Sequence, residues 1–129
     1  MNLSREPETK LQILSKSEFF ERLSNSRESF QSNYYAMYSS IVGGIIKDPT
    51  CMIVPIDDHM VHRGDGIFEV FNCFNGKIFN LEGHLARLMN SGSLLEYNMP
   101  FTIEQMTDII KTTVLVSYYL RYYLNKQTF

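Results

Sequence analysis

The feature that most constrains this chain is an Asn75-Gly76 pair between two short apolar runs, followed at once by a helical pattern. A two-residue hairpin of type I′ needs positive φ angles, which Asn and Gly adopt most readily. Residues 67–74 are apolar at most positions on both faces and predict a buried central strand. Residues 77–79 predict its return strand. The stretch 57–93 is therefore expected to form a loop, a strand, a hairpin, a second strand and a helix.

Capping residues predict where three helices begin. Asn80 precedes a stripe of leucines at helical spacing, and two further sites have the spacing of a capping box. Because each helix carries one apolar face, we expect these faces to pack on the strands. The leucine stripe consists of Leu81, Leu85, Leu88 and Leu95, and the two capping boxes pair Ser15 with Glu18 and Thr102 with Gln105.

The remaining segments complete an α+β prediction. Residues 34–45 are rich in aromatic and β-branched side chains, residues 51–56 form another apolar run, and residues 114–129 indicate one last strand. We expect an antiparallel-rich sheet with two helices packed on one side. The predicted organisation is a polar extension with a short helix at 1–33, a domain at 34–124 and a divergent tail at 125–129.

Composition narrows the class of protein. The chain has 129 residues, 44% of them hydrophobic, and a net charge of −2 with both signs interspersed. These values predict a single globular domain, and nothing in them favours nucleic acid or an anionic membrane as a partner. Cys51 and Cys73 are too few for a disulfide framework, and no secretory signal or membrane-spanning run is evident. We therefore expect a soluble, intracellular protein with reduced thiols.

Two charged residues near the predicted hairpin are candidates for function. His84, Arg87 and Ser91 share one helix face beside the leucine stripe, where a guanidinium could bind a phosphate through two parallel hydrogen bonds. From spacing alone, a solvated Arg on an amphipathic helix is the alternative. Glu69 lies within the predicted buried strand, where a carboxylate needs a partner unless it reaches solvent at the strand end.

The C-terminal segment YYLRYY predicts an aromatic wall. On a strand, Tyr119, Arg121 and Tyr123 would face one way and could converge on a pocket. A packed edge strand is the plain alternative, and stacking of single-stranded nucleic acid is a third, although no basic groove accompanies it.

An acidic and histidine-rich loop precedes the turn at residues 63–66. Asp57, Asp58, His59 and His62 are ligand types that suit zinc or iron, but their spacing matches no recognised metal site. We interpret the cluster as part of a loop, and we predict no metal site.

Three motifs in order resemble one family. The sequences GDGIFEV, EGHLARLMNSGSLL and YYLRYY are similar to segments of the fold-type IV, pyridoxal-phosphate-dependent enzymes, the class IV aminotransferases, including branched-chain and D-amino-acid aminotransferase-like proteins. The resemblance covers residues 34–123 and is strongest over 57–95. It implies that pyridoxal 5′-phosphate is the cofactor and that Arg87 binds its phosphate. It also implies that the substrate side of the pocket is lined by Phe68, Glu69, Tyr119 and Arg121.

The match departs from the family pattern at three places. Gly83 intrudes between the Glu and the His of the helix motif, and Gly92 stands where the family prefers Ala. Phe68 occupies a position that is often Tyr in D-amino-acid transaminases. Because a phenyl ring cannot donate a hydrogen bond to a carboxylate, strict D-amino-acid specificity is not expected.

The resemblance also predicts what the chain does as a whole. None of its six lysines matches the Schiff-base lysine of the family's second domain, so we assign no catalytic residue and expect a truncated N-terminal portion that is inactive alone. The full-length form would exchange an amino group between an amino acid and a 2-oxo acid, as a homodimer or paired with a full-length relative. Three alternatives stay open: a non-catalytic interaction module, part of an aminodeoxychorismate lyase-like enzyme, and an unrelated small α+β binding domain.

Overall fold

A computed structural model describes residues 11–126 as four α-helices and two antiparallel hairpins, which confirms the α+β class. The helices are α1 (Lys16–Asn25), α2 (His59–Arg63), α3 (Leu81–Leu94) and α4 (Ile103–Lys126). The strands are β1 (Met37–Ser39), β2 (Gly44–Ile46), β3 (Cys73–Phe74) and β4 (Lys77–Ile78), with short 3₁₀ helices at Ser29–Asn33 and Pro49–Cys51.

Both predicted capping boxes are confirmed. The Thr102 backbone N–H donates to Gln105 Oε1 at 2.9 Å, and the Gln105 N–H donates to Thr102 Oγ at 3.3 Å. Ser15 and Glu18 make the same reciprocal pair ahead of α1. Asn80 does stand at the start of α3, but it has a left-handed backbone (φ 48°) and its side chain makes no capping hydrogen bond. The predicted boundary is therefore right, and the predicted side-chain cap is wrong.

The Asn75-Gly76 hairpin is confirmed. Their φ angles are 50° and 74°, as a type I′ turn requires, and Cys73 lies opposite Ile78 across the turn. The strand predicted for residues 67–74 is shorter than expected, since only β3 forms a ladder. Within the described part of the chain, no strand pairs with residues 67–72. A ladder forms only where two strands exchange hydrogen bonds, so these residues are not assigned as a strand. Residues 51–56 likewise contain no strand.

The last strand predicted for residues 114–129 is wrong over 114–126, because α4 continues to residue 126, and residues 127–129 lie outside the described residues. Val and Tyr favour strands only weakly, and no Gly or Pro interrupts the segment from 103 to 126. The partly buried side chains Thr113, Val114, Val116, Ser117 and Leu120 recur at helical spacing rather than at every second residue. Packing along one helix face therefore overrides the local strand preference.

The core lies where α3 crosses α4. Leu81, Leu85 and Met106 are its buried apolar residues among those described. A partly buried shell surrounds them, made of Phe71, Ile78, Leu88, Met89, Met99, Phe101 and Ile110. Two of the four predicted leucines are thus central and Leu88 belongs to the shell, whereas Leu95 is exposed. None of the helices in the described part of the chain is both long enough and apolar enough to cross a membrane.

Candidate functional site

Glu69 and Arg87 form a bidentate ion pair. Arg87 Nε donates to Glu69 Oε1 at 2.6 Å, and Arg87 Nη2 donates to Glu69 Oε2 at 2.5 Å. The carboxylate comes from the segment before β3, and the guanidinium comes from the middle of α3. Parallel hydrogen bonds of this kind are the strongest arrangement that a guanidinium and a carboxylate can adopt. Of the five residues to which site roles were predicted, the structure brings these two into direct contact.

His84 is the third member of this cluster. It lies one turn before Arg87 on α3, and its Nδ1 is 2.8 Å from Glu69 Oε2 and 3.1 Å from Arg87 Nη2. One nitrogen cannot both donate to the carboxylate and accept from the guanidinium. Because the contact with Glu69 is the shorter one, we assign the proton to Nδ1, which then donates to Glu69. The ring also packs at a tilt against Phe71, with centroids 5.6 Å apart.

Charge and burial divide unequally within the cluster. The Glu69 and His84 side chains are 12% and 14% exposed, whereas the Arg87 side chain is 63% exposed. Hydrogen bonds from Arg87, and then from His84, lower the pKa of Glu69 to about 2. The same pairing raises the pKa of Arg87. Glu69 is therefore an ionised and nearly enclosed carboxylate at neutral pH, and Arg87 faces solvent.

The residues present fit a phosphate group at Arg87. Its hydrogen bonds within the cluster use Nε and Nη2, and none of them uses Nη1. An exposed guanidinium with an unused amino group can still donate to a phosphate oxygen. Glu69 limits this fit, because its negative charge lies against the same cation and opposes a second anion.

Arg121 lies on α4 rather than on the predicted strand, and its surroundings therefore differ from those expected. On α4 it lines a cleft of about 350 Å³ between this helix and the β3–β4 turn. The other residues of the cleft are Cys73, Phe74, Asn75, Gly76, Val114, Ser117 and Tyr118. Among the described residues, the cleft thus combines one cation with amide, hydroxyl and apolar groups and has no carboxylate.

Tyr119 and Arg121 do not converge as predicted. Two residues apart on a helix, they lie roughly 200° apart around its axis, and Tyr119, about half exposed, is not among the cleft residues. The side chain of Tyr123 lies outside the described residues. The predicted aromatic wall is therefore wrong, and Tyr118 takes the place beside Arg121 that was expected for Tyr119.

Residues 67–71 alternate in burial as a strand would. Ile67, Glu69 and Phe71 are partly buried toward α3, whereas Phe68 and Val70 are 78% and 74% exposed. Phe68 therefore lies beside Glu69 in sequence but on the opposite side of the segment. A wall shared by Phe68 and Glu69 does not form in this structure.

The histidine-rich loop contains a short helix. Asp58 caps α2 by accepting a hydrogen bond from the Met60 N–H at 2.9 Å, and Gly64 ends it with a left-handed backbone. Among the residues that the structure describes, no group of three or more His, Cys, Asp or Glu side chains could hold a metal ion. Cys51 and Cys73 are both free thiols.

The sequence indicated the members of the cluster but not their pairing. Glu69 was expected to need a partner, and His84 and Arg87 were expected to share a face. No rule of local spacing connects positions that are 18 residues apart in sequence. One signal could have predicted this pairing: a buried carboxylate needs a partner, and the adjacent helix carries an imidazole and a guanidinium on one face.

Comparisons with known proteins point to one family. The profile of the family "Amino-transferase class IV" matches residues 66–127. The D-amino-acid transaminase, chloroplastic, of Arabidopsis thaliana is 44% identical over 105 residues, which cover 81% of this chain and 28% of that protein. The D-alanine aminotransferase of Staphylococcus haemolyticus is 26% identical over 81 residues, covering 63% of this chain and 29% of that protein.

A third relative belongs to the branched-chain group. The branched-chain-amino-acid aminotransferase-like protein 2 of Arabidopsis thaliana is 34% identical over 64 residues, covering 50% of this chain and 11% of that protein. The chain thus spans less than a third of the length of each of these relatives. No solved structure matches it.

Proposed function

We propose that this chain, which is class IV aminotransferase-like over residues 66–127, supplies the cofactor-phosphate site of a pyridoxal-phosphate-dependent aminotransferase. The reaction would move an amino group between an amino acid, branched-chain or D-, and a 2-oxo acid. Pyridoxal phosphate, when bound, supplies the electron sink for chemistry at the substrate α-carbon. The observation that supports this proposal best is the exposed guanidinium of Arg87 on a helix packed into the core, at the position where the resemblance implies a phosphate-binding Arg.

The chain's own residues would bind and orient rather than react. Arg87 would donate Nη1–H to a phosphate oxygen, held in place by its attachment to α3. Arg121 would hold a substrate carboxylate in the cleft beside the β3–β4 turn, where it is the one cation among the lining residues that the structure describes. We assign no catalytic role to any residue of this segment.

The Arg87→Ala variant tests the phosphate site. Hydrogen bonds to a charged group contribute about 1.5–3 kcal/mol each, so removing them should weaken pyridoxal 5′-phosphate binding roughly ten- to a hundredfold. Isothermal titration calorimetry of the chain with pyridoxal 5′-phosphate measures the effect. Pyridoxal, which lacks the phosphate, should bind the wild type and the variant with equal affinity.

Arg27→Ala is the matched control. Arg27 is an exposed cation outside the cluster, so its removal lowers the net charge by the same amount without touching the site. We expect it to change affinity by less than about twofold, because an isolated surface charge contributes little. Equal affinities of the wild type and Arg87→Ala for pyridoxal 5′-phosphate would rule the proposal out.

A second function is favoured by exposed apolar side chains on one side of residues 68–74. Phe68 and Val70, two residues apart, are 78% and 74% exposed, and Phe74, which follows the exposed Asn72 and Cys73, is 79% exposed. Large exposed apolar side chains grouped in one short segment favour an interaction site. We propose that this face pairs with a second copy of the chain or with a full-length relative.

Sedimentation velocity tests the pairing. This chain should sediment faster than a 15.0 kDa monomer, both alone and when it is mixed with the D-amino-acid transaminase of Arabidopsis thaliana. Phe68→Ser with Val70→Ser should return the chain to the monomer, because polar side chains remove the apolar contact. Ile53→Ser with Val54→Ser, which is exposed but lies on another segment, should not. A monomer under all conditions would count against this function.

A further inference from the structure

The guanidinium of Arg87 has one side engaged and one side available. Glu69 takes up Nε and Nη2, which form one edge of the planar group. The two hydrogens on Nη1 belong to the other end of the fork and take part in none of the cluster's hydrogen bonds. An anion can therefore bind at Nη1 without displacing Glu69.

Glu69 is held firmly enough to act as an anchor. Its two carboxylate oxygens accept hydrogen bonds from Arg87 and His84, and only 12% of its side chain is exposed. Arg87 has the opposite character, with a long side chain that is 63% exposed. Without an anchor, such a side chain samples many rotamers, and fixing them costs binding free energy.

We propose that Glu69 is a positioning residue, which fixes the guanidinium of Arg87 so that Nη1 is presented to a phosphate. This assignment rests on the proposed phosphate site. It gives Glu69 the role of orienting Arg87, in place of the expected role of lining the substrate side of the pocket. His84 contributes by donating Nδ1–H to Glu69 Oε2, which keeps the carboxylate in register with the guanidinium.

Two opposing effects decide what the Glu69→Gln variant does. Losing the anchor weakens phosphate binding by about three- to tenfold, the effect of one mobile side chain. Losing the negative charge strengthens it, because Glu69 repels a phosphate. At 1 M salt the Debye length is about 3 Å, so the repulsion is screened, whereas the direct contact between Glu69 and Arg87 is not.

The experiment is therefore a titration with pyridoxal 5′-phosphate and with inorganic phosphate, each at about 0.05 M and at about 1 M NaCl. The lower concentration screens charges weakly and the higher one screens them strongly. We expect Glu69→Gln to bind about three- to tenfold more weakly than the wild type at high salt, and by a smaller factor at low salt. Glu69→Asp keeps the charge but is one methylene shorter. At high salt it should be as weak as Glu69→Gln.

Glu82→Gln is the matched charge control. Glu82 lies exposed in the first turn of α3, and its neutralisation removes the same charge without altering the cluster. Its affinity at high salt should equal that of the wild type. Circular dichroism confirms that each variant is folded before it is titrated.

A measurement on the unaltered chain covers the case in which the Glu69 variants do not fold. Nitrogen-15 NMR follows the Nε–H of Arg87, whose exchange with water we expect to be slow because this hydrogen is bonded to Glu69. On saturation with phosphate we expect this exchange to stay slow, because the anion binds at Nη1. Exchange that becomes fast would show that phosphate displaces Glu69 and would overturn the assignment.

The outcomes separate the two proposals. Tighter binding by Glu69→Gln at both salt concentrations, or no change at either, would overturn the positioning role while Arg87→Ala still supports the phosphate site. Binding that is insensitive to Arg87→Ala would instead defeat the phosphate site, and the role of Glu69 with it.

Discussion

Replacing Leu85 with alanine should lower the free energy of unfolding by about 2–5 kcal/mol, the range for buried leucines in well-packed cores. Leu85 is 2% exposed and lies with Leu81 and Met106 at the crossing of α3 and α4. Leu85 is the most buried of these three side chains, so its truncation removes contacts at the centre of the described core and leaves a cavity there. Since domains of this size are stable by about 5–15 kcal/mol, this one change removes a large share.

Urea denaturation followed by circular dichroism measures the loss, and Leu94→Ala is its control. Leu94 is also on α3, but it is 76% exposed, so the same substitution removes almost no packing. We expect it to change stability by less than about 0.5 kcal/mol. Similar losses for both variants would contradict the position of the core.

Replacing Leu115 with proline should cost about 3 kcal/mol or more and reduce the helix content of the chain. Leu115 is half-exposed near the middle of α4, so the loss comes from the backbone: proline removes one helix hydrogen bond and collides with the preceding turn. Because Met106 and Ile110 of the same helix pack on α3, disruption of α4 also loosens the core.

Far-UV circular dichroism and urea denaturation measure both effects, and Leu115→Ala separates backbone from side chain. Alanine favours a helix and leaves the backbone intact, so this control should change stability by less than about 0.5 kcal/mol. If Leu115→Pro kept the full helix signal, the segment would not be helical, and the strand prediction would be restored.

The parts of the fold that the sequence predicted well depend on contacts within a few residues. Asn75-Gly76 satisfies a local demand for positive φ, and Thr102 reaches Gln105 across a single turn. Such demands are met or refused by the residues themselves, whatever surrounds them. The starts of α1 and α4 could be predicted for the same reason.

Local preference failed where packing decided the outcome. The run of Val and Tyr after residue 113 favours a strand in isolation, yet the helix that begins at Ile103 continues through it. That error also misplaced the predicted wall, because residues that share one side of a strand point in different directions on a helix. Arg121 consequently lies beside Tyr118 and the β3–β4 turn.

By itself, the sequence determined the Asn75-Gly76 turn, the capped starts of α1 and α4, and the placement of His84 and Arg87 on one face of α3. Only the tertiary structure decided that Glu69 meets both of them and that the C-terminal segment is helical. The physical reason is one of range. Dihedral and capping preferences act within about four residues, whereas the ion pair and the core join elements whose relative placement is set only when the apolar faces of α3 and α4 are packed together.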